Sequence, residues 1–477
     1  MLHWARWLVV AGCGVAVASG LMAQDAAGAQ SPAAGKPPSQ AAAGIAAQTP
    51  ARAGTQTKPA AEGAIAVPLP PGASDVRTSP ESALPSPGSV YKQAMHPLDV
   101  VRGSLENWSD AELGALAMGM HQAREACEER KAEDYSGDEL YDLARLCSFG
   151  QDWNDANTAA TRYIDSHAQT WAAQAYALSI NAMVHLNGVD TAVQLAELML
   201  QRLPYDAEVA YTVRYLKDYL EQSGDKRAMK LAEDEHAAIV LALKGGTALK
   251  ATHGDAVMSV GLLYDSAMEL AFFSRFAGQE MAAEQAAADC DRALGKAAMA
   301  PEDKQRIDAV RLQFGLLGTS LPAFTVTKAL ASAAAKPAIE GDLGEGTAFV
   351  LFPEWCAQCR AMMKTMTKFA QVNASTPLRA YGLMFAEEGE NVDETVRETM
   401  YKNLAGTQTF VVTAATAKTF GALDFPTAVV VDGRGIIRFI GMIPADAFNG
   451  GGYMEKVFLR MAVEEGREME RGMESRN

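Results

Sequence analysis

Positive charge is short in this chain of 477 residues. Against 58 Asp and Glu stand 42 Lys and Arg, a net charge of −16. So acidic a chain is a poor match for phosphate backbones, which excludes a general nucleic-acid binder. Cysteine is also sparse. Six residues are too few to staple a small secreted scaffold and enough for one or two pairs. Long apolar runs are missing beyond the N-terminus, so no interior segment is expected to span a bilayer. Between 321 and 477 there is no histidine, and the only cysteines are Cys356 and Cys359. That stretch therefore lacks the second CxxC or Cys/His pair that a four-coordinate zinc site usually uses. Hydrophobic residues, in contrast, make up 49% of the chain. This is ample for buried cores, and the length allows two or three domains at roughly 100–200 residues each.

The N-terminus reads as a leader. Arg6 supplies a short positive start, and Trp7 to Gly20 is an apolar run of signal-peptide length. Cleavage after Ala23 or after Ala29 fits the small residues there. Two alternatives stay open: an uncleaved anchor, and a lipoprotein-type box at Val10-Ala11-Gly12-Cys13. All three export the chain, to a periplasmic or secreted location where disulfides persist. With the leader set at 1–23, residues 24–95 follow as an Ala-, Pro-, Gly- and Ser-rich stretch without periodicity. Such a segment buries too little apolar surface to offset its ordering entropy and reads as a disordered tether.

From 96 to 318 the composition turns Ala-, Leu- and Glu-rich, which predicts helix throughout. Ala156, Ala192 and Ala228 recur every 36 residues, each with a second Ala four positions on (Ala160, Ala196, Ala232). Small residues at i and i+4 let a neighbouring helix approach closely. Gly188 and Gly224 precede two of these pairs and are expected to supply tight turns. A further hairpin is expected from Ala267 to Leu294, turning at Gly278. The turn Gly, the Ala pairs and Pro204 resemble tetratricopeptide repeats, with a period of 36 rather than 34. The resemblance implies a partner-binding solenoid. A helical cap that only packs on the next domain fits the same residues. Cys127 and Cys147 each lie about ten residues from the middle of the polar break AEDYSGDE, as a bridge between two antiparallel helices requires. Two buried thiols remain the alternative there, and Cys290 is left over as a buried, inert residue.

Residues 319–477 change to strands alternating with helices, an α/β pattern. The run TAFVLF (347–352) leads straight into Trp355-Cys356-Ala357-Gln358-Cys359 and then a helix. Two intervening residues bring both sulfurs onto the first helical turn. The first cysteine then sits where unpaired amides and the helix dipole favour thiolate. The second can resolve a mixed disulfide formed on the first. A purely structural disulfide is a weaker reading, because the loop it closes is too small to staple much. Copper lacks a histidine, and Met362, Met363 and Met366 read as core filler. Strands are expected at LRAYGLMF, TFVVT, AVVV and IIRFIG, with a hairpin at Asp432-Gly433-Arg434-Gly435. A polar helix near 391–404, a short one over AATAKTFGAL and a closing amphipathic helix from about Tyr453 complete the domain.

The strand entering WCAQC, the run Phe425-Pro426-Thr427 and the hairpin after it resemble the thioredoxin superfamily. The nearest branch is the extracytoplasmic TlpA/ResA-like one, over residues 321–470. The resemblance implies a cis Pro426 whose loop faces the disulfide, with Trp355, Phe425 and Thr427 supporting it. It further implies a thiol–disulfide oxidoreductase without cofactor or metal. Cys356 would be the nucleophile, Cys359 the resolving thiol, and protein thiols and disulfides the substrates. A membrane-bound reductant, or a protein docked on the helices, would be the partner. A scaffold carrying a redox-inactive or regulatory module is the alternative. The chain departs from the family at Val350, where a buried Asp usually stands; Glu354 is the candidate replacement. Gln358 replaces the usual Pro, and Pro353 stands where a peroxidase carries Thr.

Overall fold

The computed structural model describes residues 84–104, 110–295, 299–330, 346–372, 378–387, 393–405, 407–443 and 448. Two compact units divide after Ser89, and nearly all described residues belong to the second, which begins at Val90. The expected leader, most of the tether and the closing helix from Tyr453 lie outside the described residues. No described helix is long and apolar enough to cross a membrane.

The tether does not reach residue 95. Helix α1 spans Pro87–Ser104, because Val90, Ala94 and Leu98 recur four apart and make a narrow apolar stripe. Ala94 and Leu98 are sealed from water. The stripe meets α2 (Asp110–Glu128) at Gly119, where a Cβ would stand 2.4 Å from the Ala94 carbonyl oxygen.

Seven helices follow in sequence: α3 (Asp138–Phe149), α4 (Trp153–Asp165), α5 (Ala172–His185), α6 (Val189–Arg202), α7 (Ala207–Gln222), α8 (Arg227–Leu243) and α9 (Val260–Phe276). Short links make the pairs α3/α4, α5/α6 and α7/α8 hairpins. The hairpins stack: α3 touches α5, α5 touches α7, and α6 touches α8. The 36-residue alanine pairs lie on α4, α6 and α8, all buried where these helices meet their neighbours. Gly224 adopts the left-handed conformation expected of a turn, at φ 66°. Gly188 does not. The left-handed residue there is Asn187, and Gly188 provides closeness instead, since a Cβ on it would stand 2.0 Å from Met183 Cε. Helices α10 (Glu280–Leu294) and α11 (Pro301–Leu316) complete the region.

Helix is not continuous, however. Two short strands, β1 (Leu249–Lys250) and β2 (Val257–Met258), pair as a small hairpin between α8 and α9. Tyr211 of α7 donates to the Val257 carbonyl across 2.8 Å and ties this hairpin down.

The core of the helical region contains charge. Lys217 is only 1% exposed. Its Nζ lies 2.7 Å from Glu235 and 2.5 Å from Glu269, and it donates to Ser266 at 3.0 Å. Tyr205 donates to the same Glu235 at 2.6 Å. Burial pulls the lysine's pKa down, but the two carboxylates outweigh it and hold it above its ordinary value.

The α/β region is a six-stranded mixed sheet in the order β3-β6-β5-β4-β7-β8. Its strands are β3 (Val326–Ala329), β4 (Gly346–Pro353), β5 (Leu378–Phe385), β6 (Thr409–Val412), β7 (Thr427–Val431) and β8 (Ile437–Met442). Helices α12 (Ala357–Val372), α13 (Glu394–Leu404) and α14 (Ala414–Thr419) connect them. β4 is one of the inner strands, and all eight of its residues are buried. It runs parallel to β5 and antiparallel to β7. Sequence pattern missed β3, a short edge strand with three of four residues exposed, which therefore shows no alternation.

Candidate active site

The sheet register builds the site. β4 ends at Pro353, opposite Phe385 at the end of β5. On its other side Leu351 pairs with Thr427, the first residue of β7. The segment before Thr427 therefore emerges at the same sheet edge as the segment after Pro353. Those segments are Phe425-Pro426 and Glu354-Trp355-Cys356. Sequence separation of about 70 residues is thus removed by one strand pairing, β4 with β7.

Cys356 and Cys359 are bonded, with S–S 2.00 Å. Cys356 caps α12: its carbonyl accepts from the Arg360 N–H at 3.1 Å, and its Sγ accepts from the Cys359 N–H at 3.2 Å. A sulfur in that place receives a helix-terminal amide and the positive end of the dipole, the arrangement that favours thiolate. The sulfur pair is enclosed, Cys356 being 3% and Cys359 1% exposed, while Trp355 beside it is 52% exposed. Met362, Met363 and Met366 lie in the buried cluster around the pair, as part of the core. α12 comes close to the sheet at Gly382, where a Cβ would stand 2.5 Å from Met363 Sδ.

Val350, in the position of the missing Asp, is fully buried in β4. Glu354 is buried too, at 1% exposure, but its carboxylate is turned to α13. Arg397 Nε donates to both of its oxygens at 3.0 and 3.2 Å, and Tyr401 donates to Oε1 at 3.0 Å. Its N–H donates to the Phe385 carbonyl, and its own carbonyl accepts from Arg360. No hydrogen bond joins Glu354 to Cys359. The residue is a brace between the end of β4 and the inserted helix. Burial and this carboxylate raise the Tyr401 pKa to about 12, so its phenol remains a donor. Arg397 and Tyr401 carried no signal in the sequence beyond their i,i+4 spacing on a polar helix.

The Phe425–Pro426 peptide is cis. The Thr427 hydroxyl donates to the Asp424 carbonyl and closes the turn. Phe425 packs edge-on against Phe385, ring centroids 5.4 Å apart. These two rings line a cleft of about 530 Å³ that Ala309 and Leu312 of α11 also line.

The remaining cysteines lie elsewhere. Cys127 on α2 and Cys147 on α3 are bonded, S–S 2.02 Å, and both are fully buried. Cys290 is free and buried in α10, and burial pushes its thiol up to about 12.

No family model matches the chain, and no curated protein matches it. Solved structures similar to part of it are the following. The thioredoxin domain of a thiol-disulfide oxidoreductase from Bacteroides vulgatus is 15% identical, over 30% of this chain and 97% of that one, with a TM-score of 0.23. StoA from Bacillus subtilis is 16% identical, over 28% of this chain and 98% of that one, with a TM-score of 0.22. A thiol:disulfide interchange protein from Bacteroides sp. is 16% identical, over 28% and 86%, with a TM-score of 0.22.

Proposed function

We propose that the chain is an extracytoplasmic thiol–disulfide oxidoreductase acting on protein substrates. One observation supports this above the others: the Cys356 sulfur caps α12 and accepts the Cys359 amide, at the sheet edge that also carries Phe425-Pro426. In the reducing direction the Cys356 thiolate attacks a substrate disulfide. A mixed disulfide forms, and one substrate sulfur leaves and takes a proton. Cys359, deprotonated, then attacks the Cys356 sulfur and releases the second substrate thiol. Two electrons pass to the substrate, and the oxidised pair remains. The same steps reversed make the protein an oxidant. No cofactor enters either direction. The stacked hairpins, TPR-like in their alanine spacing, would dock the substrate or a membrane-bound reductant.

The rival reading is a binding scaffold whose redox module does not turn over. It is favoured by the enclosure of Cys356 and by the engagement of Glu354 with α13 rather than with Cys359.

Insulin reduction with dithiothreitol separates the two. The expected result is turnover by the wild type and none above background with Cys356→Ser. Equal rates would decide for the scaffold. Cys359→Ser should hold the physiological partner as a mixed disulfide. The reduction potential of the 356–359 pair then gives the direction of electron flow.

A further inference from the structure

Helix α11 belongs to the helical region by sequence, yet one face of it is built against the loop that carries Pro426. Arg306, Ala309 and Gln313 are spaced i, i+3 and i+7, so they lie along a single stripe. All three meet the segment 421–424. The Arg306 guanidinium forks onto Asp424, Nη1 to Oδ2 at 2.7 Å and Nη2 to Oδ1 at 3.1 Å. The Gln313 amide donates to the Gly421 carbonyl at 2.8 Å. Gly421 itself is left-handed (φ 60°), and a Cβ there would stand 2.7 Å from the Ala309 carbonyl oxygen. Only glycine satisfies both demands.

The stripe is anchored from behind as well. Arg306 Nη1 reaches Asp265 Oδ2 of α9 at 3.2 Å, and Arg214 of α7 reaches the same oxygen at 3.2 Å. Asp303 accepts from the Gly261 N–H at 2.8 Å, and a Cβ on Gly261 would stand 2.9 Å from Asp303 Cα. Helices α9 and α11 are therefore locked, and Arg306 is held between one carboxylate in the helical region and one beside Phe425. A bidentate guanidinium–carboxylate pair fixes orientation as well as distance.

We propose that Arg306 is a positioning residue for thiol–disulfide exchange. Through Asp424 it fixes the segment 421–426, so that Phe425-Pro426, at the end of the sheet that also carries Cys356, is already in place when a protein disulfide arrives. This rests on the oxidoreductase reading above. The helical region then takes part in substrate selection through α11 itself. With the fork broken, an incoming protein must order the loop on binding, and that loss falls on affinity. A small disulfide that touches only the sulfur pair is spared.

The test uses Arg306→Gln in the full chain. With insulin, KM should rise roughly 5- to 10-fold with kcat changed by about 2-fold or less, the signature of lost binding rather than lost chemistry. The rate with a small aromatic disulfide should change by about 2-fold or less. Amide hydrogen exchange across 421–425 should quicken by about 10-fold. Asp424→Asn should fall between, and the double variant should be no worse than Arg306→Gln alone. Wild-type KM with wild-type exchange at 421–425 would overturn the proposal. So would an equal loss on both substrates accompanied by a collapse in Tm, which marks general destabilisation. A wild type that exchanges no disulfide at all removes the oxidoreductase reading. The exchange rates at 421–425 then still decide whether Arg306 holds the loop.

Discussion

Lys217 in the helical region and Val350 in the α/β region are equally closed to water, yet one is a cation and the other a hydrocarbon. The helices enclose a network of Tyr205, Arg214, Lys217, Glu235, Asp265 and Glu269 joined by short contacts. The sheet encloses methionines, aromatics and a bonded sulfur pair, with Glu354 as the carboxylate braced at its edge. Continuous β4 has no place for a charge, since its neighbours on both sides are buried strands. Stacked helices leave polar side chains facing each other across the hairpins. They have to be paired there, because an unpaired buried charge is expensive.

That contrast breaks first at Lys217. Lys217→Met leaves Glu235 without its cation and Glu269 with only Arg214 at 3.8 Å, and removing one partner of a buried pair costs about 3–5 kcal/mol. The loss is read as a drop in the urea unfolding free energy of the full chain. A loss under about 1 kcal/mol would show that the network adds little to stability. Next comes the bridge of α2 and α3. Its cysteines are 20 residues apart, and opening a loop of that size costs about 3 kcal/mol by chain entropy. Cys127→Ala/Cys147→Ala should show it in thermal unfolding while insulin turnover per folded molecule is kept. Loss of turnover at equal folded fraction would tie the bridge to the active site.

The third difference is in pH, and here the two regions move in opposite senses. Burial, with Asp218 adding to it, raises Glu221 to about 8; burial against the pull of Lys217 raises Glu269 to about 7. Between their unfolded value of about 4.5 and these folded values the native state holds more protons, so stability falls as pH rises through that window. Asp432 goes the other way. Burial pushes it up, but the Ile436 and Arg434 amides and the Arg438 guanidinium outweigh burial and hold it below its ordinary value. Its contribution is present above the unfolded value of about 3.9 and is lost as acid protonates it. Tm measured from pH 5 to pH 8.5 should fall, and Glu221→Gln should flatten the fall. An unchanged slope in that variant removes Glu221 as its source.

Legibility in the sequence followed the range of the interaction. The WCAQC junction, the Asp432-Gly433 hairpin and the buried run of β4 are local, and their spacing carries them. The alanine pairs on α4, α6 and α8 were equally readable, since helical packing repeats in register with the chain. Helix α1 was hidden because a stripe of three residues at four-residue spacing sits inside an Ala- and Pro-rich composition. The brace on Glu354 was hidden for another reason: Arg397 and Tyr401 lie 43 and 47 residues away. Arg306 and Asp424 are 118 apart, and neither stands in a motif. Val350 was readable as a departure. That Glu354 would not stand in for the missing carboxylate was not, because its partners on α13 lie 43 and 47 residues away.

The buried bridge between α2 and α3 has one more consequence. A protein that exchanges disulfides is surrounded by copies of itself, each carrying a potential substrate. In-line attack by a thiolate needs an open path to sulfur. Cys127 and Cys147 offer none, being fully enclosed. If the 356–359 pair exchanges disulfides as proposed, the enclosure of this bridge would keep it out of reach of other copies of the chain.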